Sequence, residues 1–564
     1  MTEIIVVGNG LAGLSAAITA AELGAKVMLI SQNPPDRSQS VMAAGGINAA
    51  LNTKGEEDSV QQHYEDTLKA GCRLADSEAV KEMTDAAPEI IKKLSRMGVV
   101  FSREGKEKID LRYFGGQKKM RTVFSKSGIG KQLMCGLSQE ARRLSVKGNI
   151  TVKENYKLLS IIMDEGTCLG GVFEDNTTGK LTSITGDALI LATGGMNGVF
   201  GDTTGSVLSD GSATAAVFRQ GAKLANGEMI QYHPTTVQIN GKRMLISEAA
   251  RGEGGRLFTY KGNEKWYFME EWYPEEGNLA PRDIVSKCIY RVCNDLKLGI
   301  SGQNQVYLDI AFMPKEKIET KLKEISDLCK TYLKIDPSKE YIPVYPGIHY
   351  FMGGIYVDKE HQSSIEGLYA AGECACQYHG ANRLGGNSTL GAIYGGMIAA
   401  KSAVNNVSLA EKNSDAIMNA EKIKRRLICA ENEIIKKEVE IAGYKTGKIP
   451  PSEILRELRI IMNHAMGIER TEIQIFNGYR NLKVLLAKSK DMGEGELSPT
   501  EAVVVKNMLF TAEALLLSAM ERKETRGAHI RKDYPERDDN HYLKTTVASY
   551  FDDGTIEIAF KEVH

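Results

Sequence analysis

The chain has 564 residues, more than one hydrophobic core usually holds, so several domains are expected. Its formal net charge is −1 with 25% charged residues, which argues against binding nucleic acid or a membrane surface through bulk charge. No apolar run approaches the roughly 20 residues that span a bilayer. A strand is predicted at the very N-terminus with no signal peptide before it, which predicts a cytoplasmic protein without a membrane span.

The first predicted elements are a strand, a glycine-rich turn and an Ala-rich helix. Residues 4–7 are a continuous apolar strand, and Gly8, Gly10 and Gly13 follow with the spacing Gly-x-Gly-x-x-Gly. The first glycine permits a tight turn, the second lets the backbone approach a pyrophosphate, and the third allows close packing of helix on strand. The pattern in this position predicts a dinucleotide-binding site.

Further apolar strands end in similar turns of small residues. After a strand at 25–30, an apolar strand at 187–192 ends in the turn 193–195, and the segment 367–373 has the same strand-to-glycine ending. Together with the first strand they predict one parallel sheet assembled from distant segments. A long ligand laid across such a sheet would use several of these turns, which favours FAD over NAD.

The rest of the chain divides by pattern into further regions. Residues 1–234 and 345–405 are predicted to form the discontinuous dinucleotide-binding domain, and 235–344 an insertion within it. Residues 406–530 are charged with helical periodicity, which predicts a helical domain. The segment 531–564 is polar and then alternating, which predicts a small C-terminal unit with one short strand.

The cysteines give no indication of a metal centre. The chain has nine cysteines without a Cys-x-x-Cys pair, and only Cys374 and Cys376 are close in sequence. Zinc and iron–sulfur sites need recurrent short spacings. We therefore predict reduced, mostly buried thiols, no chemistry for Cys374 and Cys376, and no metal site.

Motifs of one known family occur in order along almost the whole chain. They lie at 37–48 (RSQSVMAAGGIN), 231–236 (QYHPTT), 247–255 (SEAARGEGG), 280–283 (APRD), 349–354 (HYFMGG), 379–388 (HGANRLGGNS), 526–529 (RGAH) and 535–539 (PERDD). In these segments the chain resembles the flavoprotein subunits of fumarate reductase and succinate dehydrogenase. The resemblance implies an α/β fold: a Rossmann-like FAD-binding domain with an inserted α+β capping domain, then a helical bundle domain and a small C-terminal domain.

The resemblance also implies a reaction, in which hydride passes from flavin N5 to one alkene carbon of fumarate while a side chain protonates the other. By position, Arg282 corresponds to the proton donor, with Glu248 and Arg251 relaying protons to it. Side-chain chemistry alone does not suggest an arginine for this role, because the pKa of arginine lies above about 12 and histidine is the usual acid.

Two groups of residues are implied to clamp the two carboxylates of the substrate. Arg383 and His349 would bind one, and His233 and Ser247 the other; family members usually have Thr where Ser247 stands. A dicarboxylate does need two separate donor clusters, and the planar fork of arginine matches a carboxylate. Clamping both ends would orient the alkene over the flavin.

Residues expected to contact FAD come from the turns and the family motifs. They are Gly8, Gly10, Leu11, Ala12, Gly13, Ser31, Gln32, Ser38, Gln39, Ser40, Ala44, Gly45, Gly46, Ala192, Thr193, Gly194, Glu373, Arg383, Asn387, Ser388 and Leu390. An Asp or Glu often ends the second strand to bind a ribose hydroxyl, but Ser31 and Gln32 stand here, which leaves that contact unassigned.

One departure from the family concerns flavin attachment. Respiratory members carry a histidine where Gln39 stands, and that histidine bonds covalently to the flavin. A glutamine amide is no comparable nucleophile, so we predict non-covalent FAD and a bias toward fumarate reduction. Without cluster ligands of its own, the chain is expected to receive electrons from an iron–sulfur partner subunit or a diffusible donor. Such a partner would place it peripherally on the inner face of the membrane.

Another departure concerns the second functional candidate, L-aspartate oxidase, which shares most of these motifs. That enzyme has a carboxylate before the Gly115-Gly116 turn to meet the substrate ammonium, and Phe114 stands there in this chain. A phenyl ring cannot offset the desolvation of an ammonium group, so Phe114 is expected to line a fumarate cavity. A reductase of another unsaturated dicarboxylate and a non-enzymatic flavin protein stay open as alternatives. Structural and functional roles stay equally open for His379, Arg526, His529 and Arg537.

Overall fold

A parallel central sheet carries the N-terminal glycine turn. The computed structural model describes residues 2–105, 107–126, 128–412, 416–495 and 498–563, and the other positions of the predicted regions lie outside the described residues. The strands of the central sheet pair in the order Leu368–Ala370, Ala188–Leu191, Glu3–Val7, Lys26–Ser31 and Ile150–Glu154, all parallel. The parallel sheet predicted from distant segments is therefore confirmed. Its edge strand Ile150–Glu154 was not predicted.

The first helix, Leu11–Glu22, packs between this sheet and the long helix Asn387–Lys412. Eight of its apolar side chains belong to the largest hydrophobic core, which explains why the helix is apolar on every face. A Cβ at Gly396 would lie 2.2 Å from the carbonyl oxygen of Ala12, so the two helices are in backbone contact. The glycine turn before the first helix is thus fixed from both sides.

An antiparallel sheet, here called the inserted sheet, is built from strands in the middle of the chain. Its strands pair in the order Lys242–Leu245, Ile230–Ile239, Ile342–Phe351, Val306–Asp309, Arg256–Lys261 and Glu264–Trp266. All of these contacts are antiparallel. The helix Arg282–Tyr290 packs on the strand Ile230–Ile239, and a separate hydrophobic core lies beneath them.

The C-terminal strands belong to a further sheet, here called the junction sheet. It pairs Ala375–Cys376, Gly354–Tyr356, Leu224–Ala225, Lys544–Tyr550 and Ile556–Glu562 in that order. The predicted strand near 555–560 is confirmed, and the strand before it was not predicted. The junction sheet joins the end of the chain to residues that flank the inserted sheet on both sides.

The remaining strands are short or peripheral. Tyr156–Asp164, Thr167–Asp175 and Leu181–Thr185 form an antiparallel sheet, and small pairings involve Ile47–Asn48, Arg103–Glu104, Lys108–Ile109, Leu111–Arg112, Thr122–Val123, Glu469–Arg470 and Ile530–Arg531.

Other helices surround the sheets. Their bounds are Val60–Ala70, Ser77–Arg96, Ile129–Val146, Asn197–Phe200, Ser212–Arg219, Ala249–Gly252, Phe268–Trp272, Lys315–Lys321, Lys323–Leu328, Ala416–Ala442, Pro451–Ala465, Glu472–Lys488, Glu501–Glu521 and Asp539–Tyr542. Among the described helices, Glu501–Glu521 alone is long and apolar enough to cross a membrane, and 78% of its most apolar stretch is buried inside the protein. Such burial is typical of a core helix.

Candidate active site

A cavity of about 440 Å³ runs from the glycine turn of the central sheet to the inserted sheet. At one end lie the backbone of Gly8 to Ala12 and the ends of the strands Lys26–Ser31 and Ala188–Leu191. At the other end lie side chains of the inserted sheet, including His233 and His349. The cavity therefore joins the predicted dinucleotide site to the predicted substrate site.

The three glycines of the turn have the separate roles that the motif predicts. Gly8 has φ +110°, and a Cβ there would lie 2.2 Å from the carbonyl oxygen of Ala192. A Cβ at Gly13 would lie 1.8 Å from the carbonyl oxygen of Gly8, so this residue serves packing and does not line the cavity. Gly10 borders the cavity directly and meets only the Ser40 hydroxyl, at 3.0 Å. The backbone is thus accessible to a ligand at the start of a twelve-residue helix.

The second strand ends in a polar arrangement rather than a carboxylate. The Asn9 amide donates hydrogen bonds to the Ser31 hydroxyl (2.8 Å) and to the carbonyl oxygen of Asn33 (2.6 Å). Gln32 lines the cavity beside them. Asn9 was not singled out from the sequence, because only the fold brings it against the second strand.

Most residues predicted to contact FAD do line the cavity. They are Gly8, Gly10, Leu11, Ala12, Ser31, Gln32, Ser38, Gln39, Ser40, Ala44, Gly45, Gly46, Ala192, Thr193, Gly194, Glu373, Arg383 and Ser388. Gly13, Asn387 and Leu390 do not line it, and their contact with FAD stays a prediction. Leu390 is fully buried in the core, and the Asn387 amide is held by Asn48, His63 and Thr67.

These features fit a flavin dinucleotide. The cavity is long, its glycine-lined end faces a helix N-terminus, and Gly45 and Gly46 leave no space for side chains where the 37–48 segment passes Phe114 and Thr122. Burial raises the pKa of Glu373 to about 7, and this carboxyl accepts a hydrogen bond from the Phe351 N–H (3.0 Å).

Six polar side chains from separate segments meet at the inserted-sheet end of the cavity. They are His233, Ser247, Glu248, Arg282, His349 and Arg383. All six were predicted as site residues. Five of them are buried, and His349 is half-buried. The structure therefore brings both predicted carboxylate clamps and the predicted acid to one place.

Irregular strand pairing changes the direction in which the side chains of His233 and His349 point. In the ladder between Ile230–Ile239 and Ile342–Phe351, Gln231 pairs with Tyr350 and Tyr232 pairs with Ile348, so His349 is an extra, bulged residue. A second irregularity follows His233. Bulges redirect side chains and are frequent beside active sites. Here the two imidazole rings come to 5.1 Å between centroids in an edge-to-face contact.

Glu248 joins two arginines in a buried ion network. Arg282 donates to one oxygen of Glu248 through Nε (3.1 Å) and Nη2 (2.7 Å), and Arg251 Nη2 donates to the other oxygen (2.8 Å). Burial favours protonation of Glu248, but the two guanidinium groups outweigh it and lower the pKa to about 2. Arg251 lies behind Glu248 and does not line the cavity. A continuous chain of hydrogen-bonded, proton-carrying groups thus ends at Arg282.

Nδ1 of His233 contacts the backbone of a neighbouring residue. It lies 3.2 Å from both the N–H and the carbonyl oxygen of Thr235, contacts that accommodate either tautomer of the neutral ring. That Nε2 is buried and has no hydrogen-bond partner in the described part of the chain. Burial, and then the charges of Arg282 and Arg251, hold the pKa of His233 well below its ordinary value. His233 is therefore neutral, and its Nε2 is available to a ligand.

Arg383 is a second side chain with an unused buried nitrogen among the described residues. Its guanidinium lies 4.4 Å from the Tyr350 ring centroid, and its Nε has no hydrogen-bond partner among residues that the structure describes. Burial, and then the charge of Arg282, lower the pKa of Arg383 to about 9. Such an unmatched buried cation is costly unless a bound anion completes it.

Several site contacts were missed from the sequence. Gln231 accepts a hydrogen bond from Arg282 Nη1 (3.0 Å) and donates to Asn382 (2.8 Å) and to the carbonyl oxygen of Arg383 (2.8 Å). It therefore couples the predicted acid to the Arg383 loop. Gln231 stands in the motif at 231–236, which was the available signal. Thr204, which contacts His349, lies in no motif, so the sequence gave no indication of its place in the site.

The residues with undecided roles lie away from the cavity. His379, Arg526, His529 and Arg537 do not line it. Arg526 and His529 are buried in a polar network beside the junction sheet, whereas Arg537 forms a half-exposed pair with Asp539 (2.6 Å). Within the described ranges, no group of three or more His, Cys, Asp or Glu side chains has the arrangement of a metal site.

The fold and the cavity define an FAD-dependent oxidoreductase, and comparison with known proteins agrees. A family model described as an FAD binding domain matches residues 3–389, and one described as the fumarate reductase flavoprotein C-terminus matches residues 455–564. The chain therefore belongs to the family of succinate dehydrogenase and fumarate reductase flavoprotein subunits.

Individual relatives match over essentially their whole length. The chain is 41% identical to the succinate dehydrogenase flavoprotein subunit of Bacillus subtilis, over 97% of this chain and 94% of the relative. It is 33% identical to the fumarate reductase flavoprotein subunit of Mycobacterium tuberculosis, over 100% and 97%. An E. coli quinol fumarate reductase structure superposes with a TM-score of 0.90 at 30% identity, covering 100% of this chain and 97% of that one.

Proposed function

We propose that this protein is the catalytic flavoprotein subunit of a fumarate reductase, which reduces fumarate to succinate. The observation that supports it most is a pair of buried nitrogens, Nε2 of His233 and Nε of Arg383. Neither has a hydrogen-bond partner among the described residues, and both belong to side chains that line one cavity. Three buried guanidinium groups near one carboxylate leave an excess of positive charge there. A ligand with two carboxylates satisfies both the hydrogen bonding and the charge.

Each carboxylate of the substrate would have its own clamp. Arg383 and His349 would bind one, through a charged fork and an imidazole N–H, and His233 and Ser247 would bind the other. The two histidines are neutral at neutral pH because burial, reinforced by nearby arginines, depresses the pKa of each. Fixing both ends holds the alkene in one orientation, which is a large part of catalysis for a small, symmetric substrate.

Arg282 would protonate the alkene carbon. When bound, FAD supplies hydride chemistry to the site. The Arg282 side chain is held on two sides, by Glu248 and by Gln231, so its orientation is fixed before the substrate arrives. A proton given up by Arg282 would be replaced through Glu248 from Arg251, whose Nη1 donates to the carbonyl oxygen of Asn278 (2.6 Å).

Non-covalent FAD is part of the proposal. Gln39 lines the cavity but has no nucleophilic atom comparable to imidazole. Acid precipitation of the purified protein should therefore release all of its flavin into the supernatant. The variant Gln39→His offers the gain-of-function test, because retention of flavin in its pellet would identify position 39 as the attachment point.

We further infer that electrons reach this chain from outside. The relatives are named as flavoprotein subunits, and the cysteine spacing of this chain offers no cluster motif. The donor would be an iron–sulfur partner subunit or a diffusible reductant. An association with such a partner would make the chain a peripheral protein on the cytoplasmic side of a membrane.

L-aspartate oxidation is the second candidate, and Phe114 argues against it. The Phe114 ring is buried and borders the cavity, close enough to Gly385 that a Cβ there would lie 3.0 Å from it. An ammonium group at this place would lose its hydration without gaining a counter-charge from residue 114.

Reoxidation of the reduced flavoprotein tests the proposal directly. The protein is reduced anaerobically and mixed with fumarate, and return of the flavin absorbance near about 450 nm is followed. Rapid reoxidation by fumarate that is lost in Arg282→Ala is expected. If fumarate left the flavin reduced while L-aspartate and oxygen gave turnover, the aspartate oxidase assignment would replace this one.

A further inference from the structure

His349 depends on a neighbouring loop for its orientation. As the bulged residue of its strand it lies outside the regular ladder, so strand pairing fixes its ring less firmly than that of a paired residue. Its Nδ1 lies 2.7 Å from the hydroxyl of Thr204, which also lines the cavity. No family motif in the sequence includes Thr204.

The hydroxyl of Thr204 permits two arrangements of the imidazole. If the Thr204 O–H donates to Nδ1, the ring proton is on Nε2 and His349 can donate to a carboxylate. If Nδ1–H donates to Thr204 instead, Nε2 presents a lone pair that would repel a carboxylate.

Thr204 is held in place from two directions. Its N–H donates to the carbonyl oxygen of Ile348 (2.9 Å), next to His349. Two residues earlier, Asp202 accepts a two-pronged contact from Arg243, through Nε (3.1 Å) and Nη2 (2.6 Å). A bidentate guanidinium–carboxylate pair fixes both partners in orientation as well as distance.

Arg243 reaches this position by crossing a glycine of the His349 strand. A Cβ at Gly347 would lie 2.0 Å from Cδ of Arg243, so only glycine leaves room for the arginine stem. Arg243 also donates to the Thr236 hydroxyl (3.1 Å), whose own proton goes to the carbonyl oxygen of Tyr345 (2.6 Å). The arginine therefore ties the Thr204 loop to both strands that carry the histidines.

We propose that Thr204 is a positioning residue that keeps His349 as an Nε2–H donor, and that the Asp202–Arg243 pair holds Thr204 in register. This inference rests on the proposed function, because it assigns His349 to a substrate carboxylate. The charged and titratable groups that face His349 are Arg282, His233, Arg383 and Glu248, and each is kept unchanged in the tests below.

The first test compares Thr204→Val with Thr204→Ser. Valine keeps the shape and removes the hydroxyl, so KM for fumarate and Kd for malonate should rise about 10-fold or more, with kcat changed much less. Malonate binding is followed by the flavin spectrum of the oxidised protein and needs no turnover. Serine should restore both constants. An unchanged Kd in the valine variant, or an equal loss in the serine variant, would refute the role of the hydroxyl.

The pH profile separates a tautomer effect from general damage. In the wild type, Nε2 carries a proton throughout about pH 5.5 to 8, so malonate affinity should change little. In Thr204→Val, the bound malonate dianion favours the protonated imidazole beside it, so protonation at low pH supplies the missing Nε2–H and affinity should recover as the pH falls. A loss of affinity that is equal at every pH would overturn the tautomer assignment and leave only a packing role.

The ion pair is tested by its coupling to Thr204. Asp202→Asn should weaken malonate binding by about 3-fold alone and add nothing to Thr204→Val, since both act through one hydroxyl. Glu140→Gln is the matched control, because Glu140 forms a similar two-pronged pair with Arg143 on a remote helix. Additive losses would overturn the role of the pair. Fumarate turnover by the wild type tests the proposed function separately, since the malonate measurements compare variants and need no turnover.

Discussion

The protein buries arginines in two clusters that are satisfied in different ways. Beside the junction sheet, Arg522 donates to Glu228, Glu524, the Thr546 hydroxyl and two carbonyl oxygens, so all its N–H groups face protein acceptors. In the cavity, Arg383 has one aromatic face and an Nε with no described hydrogen-bond partner. Both side chains are almost completely buried.

This difference distinguishes a structural cation from a binding cation. Burial alone does not, because Arg522 is the more buried of the two. When the protein uses every donor of a buried cation, those hydrogen bonds serve the fold alone. Donors that the protein leaves unused are available to bind a ligand. Glu248 is intermediate, since it lines the cavity but neutralises two arginines as a structural carboxylate does.

Glu248→Gln should have the largest effect, because it removes both functions at once. Loss of the proton relay should reduce fumarate reduction by about 10²- to 10⁴-fold. Arg251 and Arg282 would lose their shared counter-charge, so the free energy of unfolding should also fall. Stopped-flow reoxidation and urea unfolding measure the two effects. Glu270→Gln, in a half-exposed pair with Arg256, is the control that should change neither.

Arg522→Met should cost stability without changing substrate recognition. Glu228 and Glu524 would be left buried without this partner, and breaking such pairs costs about 3–5 kcal/mol. Urea unfolding in excess FAD measures the loss. Malonate affinity of the folded fraction should equal that of the wild type. A selective loss of malonate binding at full stability would mean that the junction cluster belongs to the active site.

Some of the fold could be predicted because local signals coincided with long-range ones. The strand before Gly8 and those before Thr193 and Gly372 are continuous apolar runs followed by small-residue turns, which is how buried parallel strands read in a sequence. The strands Ile150–Glu154 and Lys544–Tyr550 were missed. Both mix polar with apolar residues, and their assignment depends on partners that are far away in sequence.

Site residues that belong to a sequence motif could be predicted. Site residues that reach the cavity only through contacts in the folded protein could not. His233, Glu248, Arg282 and Arg383 stand in motifs and meet at the cavity. Thr204, by contrast, reaches the site only because a bulged strand and a cross-strand arginine bring its loop there. Asn387 was assigned to FAD from its motif neighbours, although its helix position turns its amide inward. Sequence spacing alone does not fix which side of a helix faces a ligand.

Arg383→Met tests whether the arginine in the cavity differs in role from Arg522 beside the junction sheet. Methionine keeps the apolar stem against Tyr350 and removes a charged group whose Nε has no hydrogen-bond partner in the described ranges. Malonate affinity should fall by about 10- to 100-fold, the range for losing a hydrogen bond to a charged group. The free energy of unfolding without substrate should stay equal or rise, because an unmatched buried charge is removed. A large loss of stability instead would show that Arg383 is a structural cation like Arg522.

His529→Gln gives the smallest effect and tests the junction cluster through pH. Nδ1 of His529 accepts from Arg470 (2.9 Å) and Nε2–H donates to the carbonyl oxygen of Arg522 (3.0 Å). Burial, and then the charges of Arg470 and Arg522, hold its pKa well below the ordinary value of 6.5. As the pH falls through 6.5, the unfolded chain takes up a proton that the folded protein refuses, so stability is lost on the acid side.

Glutamine can replace both hydrogen bonds with an amide that does not titrate. The variant should therefore lose about 2 kcal/mol less stability than the wild type between about pH 7 and pH 5, since each fully linked proton contributes about 1.4 kcal/mol per pH unit. Urea unfolding at both pH values measures the difference, with the exposed His464→Gln as the matched control. Equal acid sensitivity of His529→Gln and the wild type would mean that the junction cluster accepts the proton in the folded state, and that its arginines are less tightly committed to the fold than their contacts indicate.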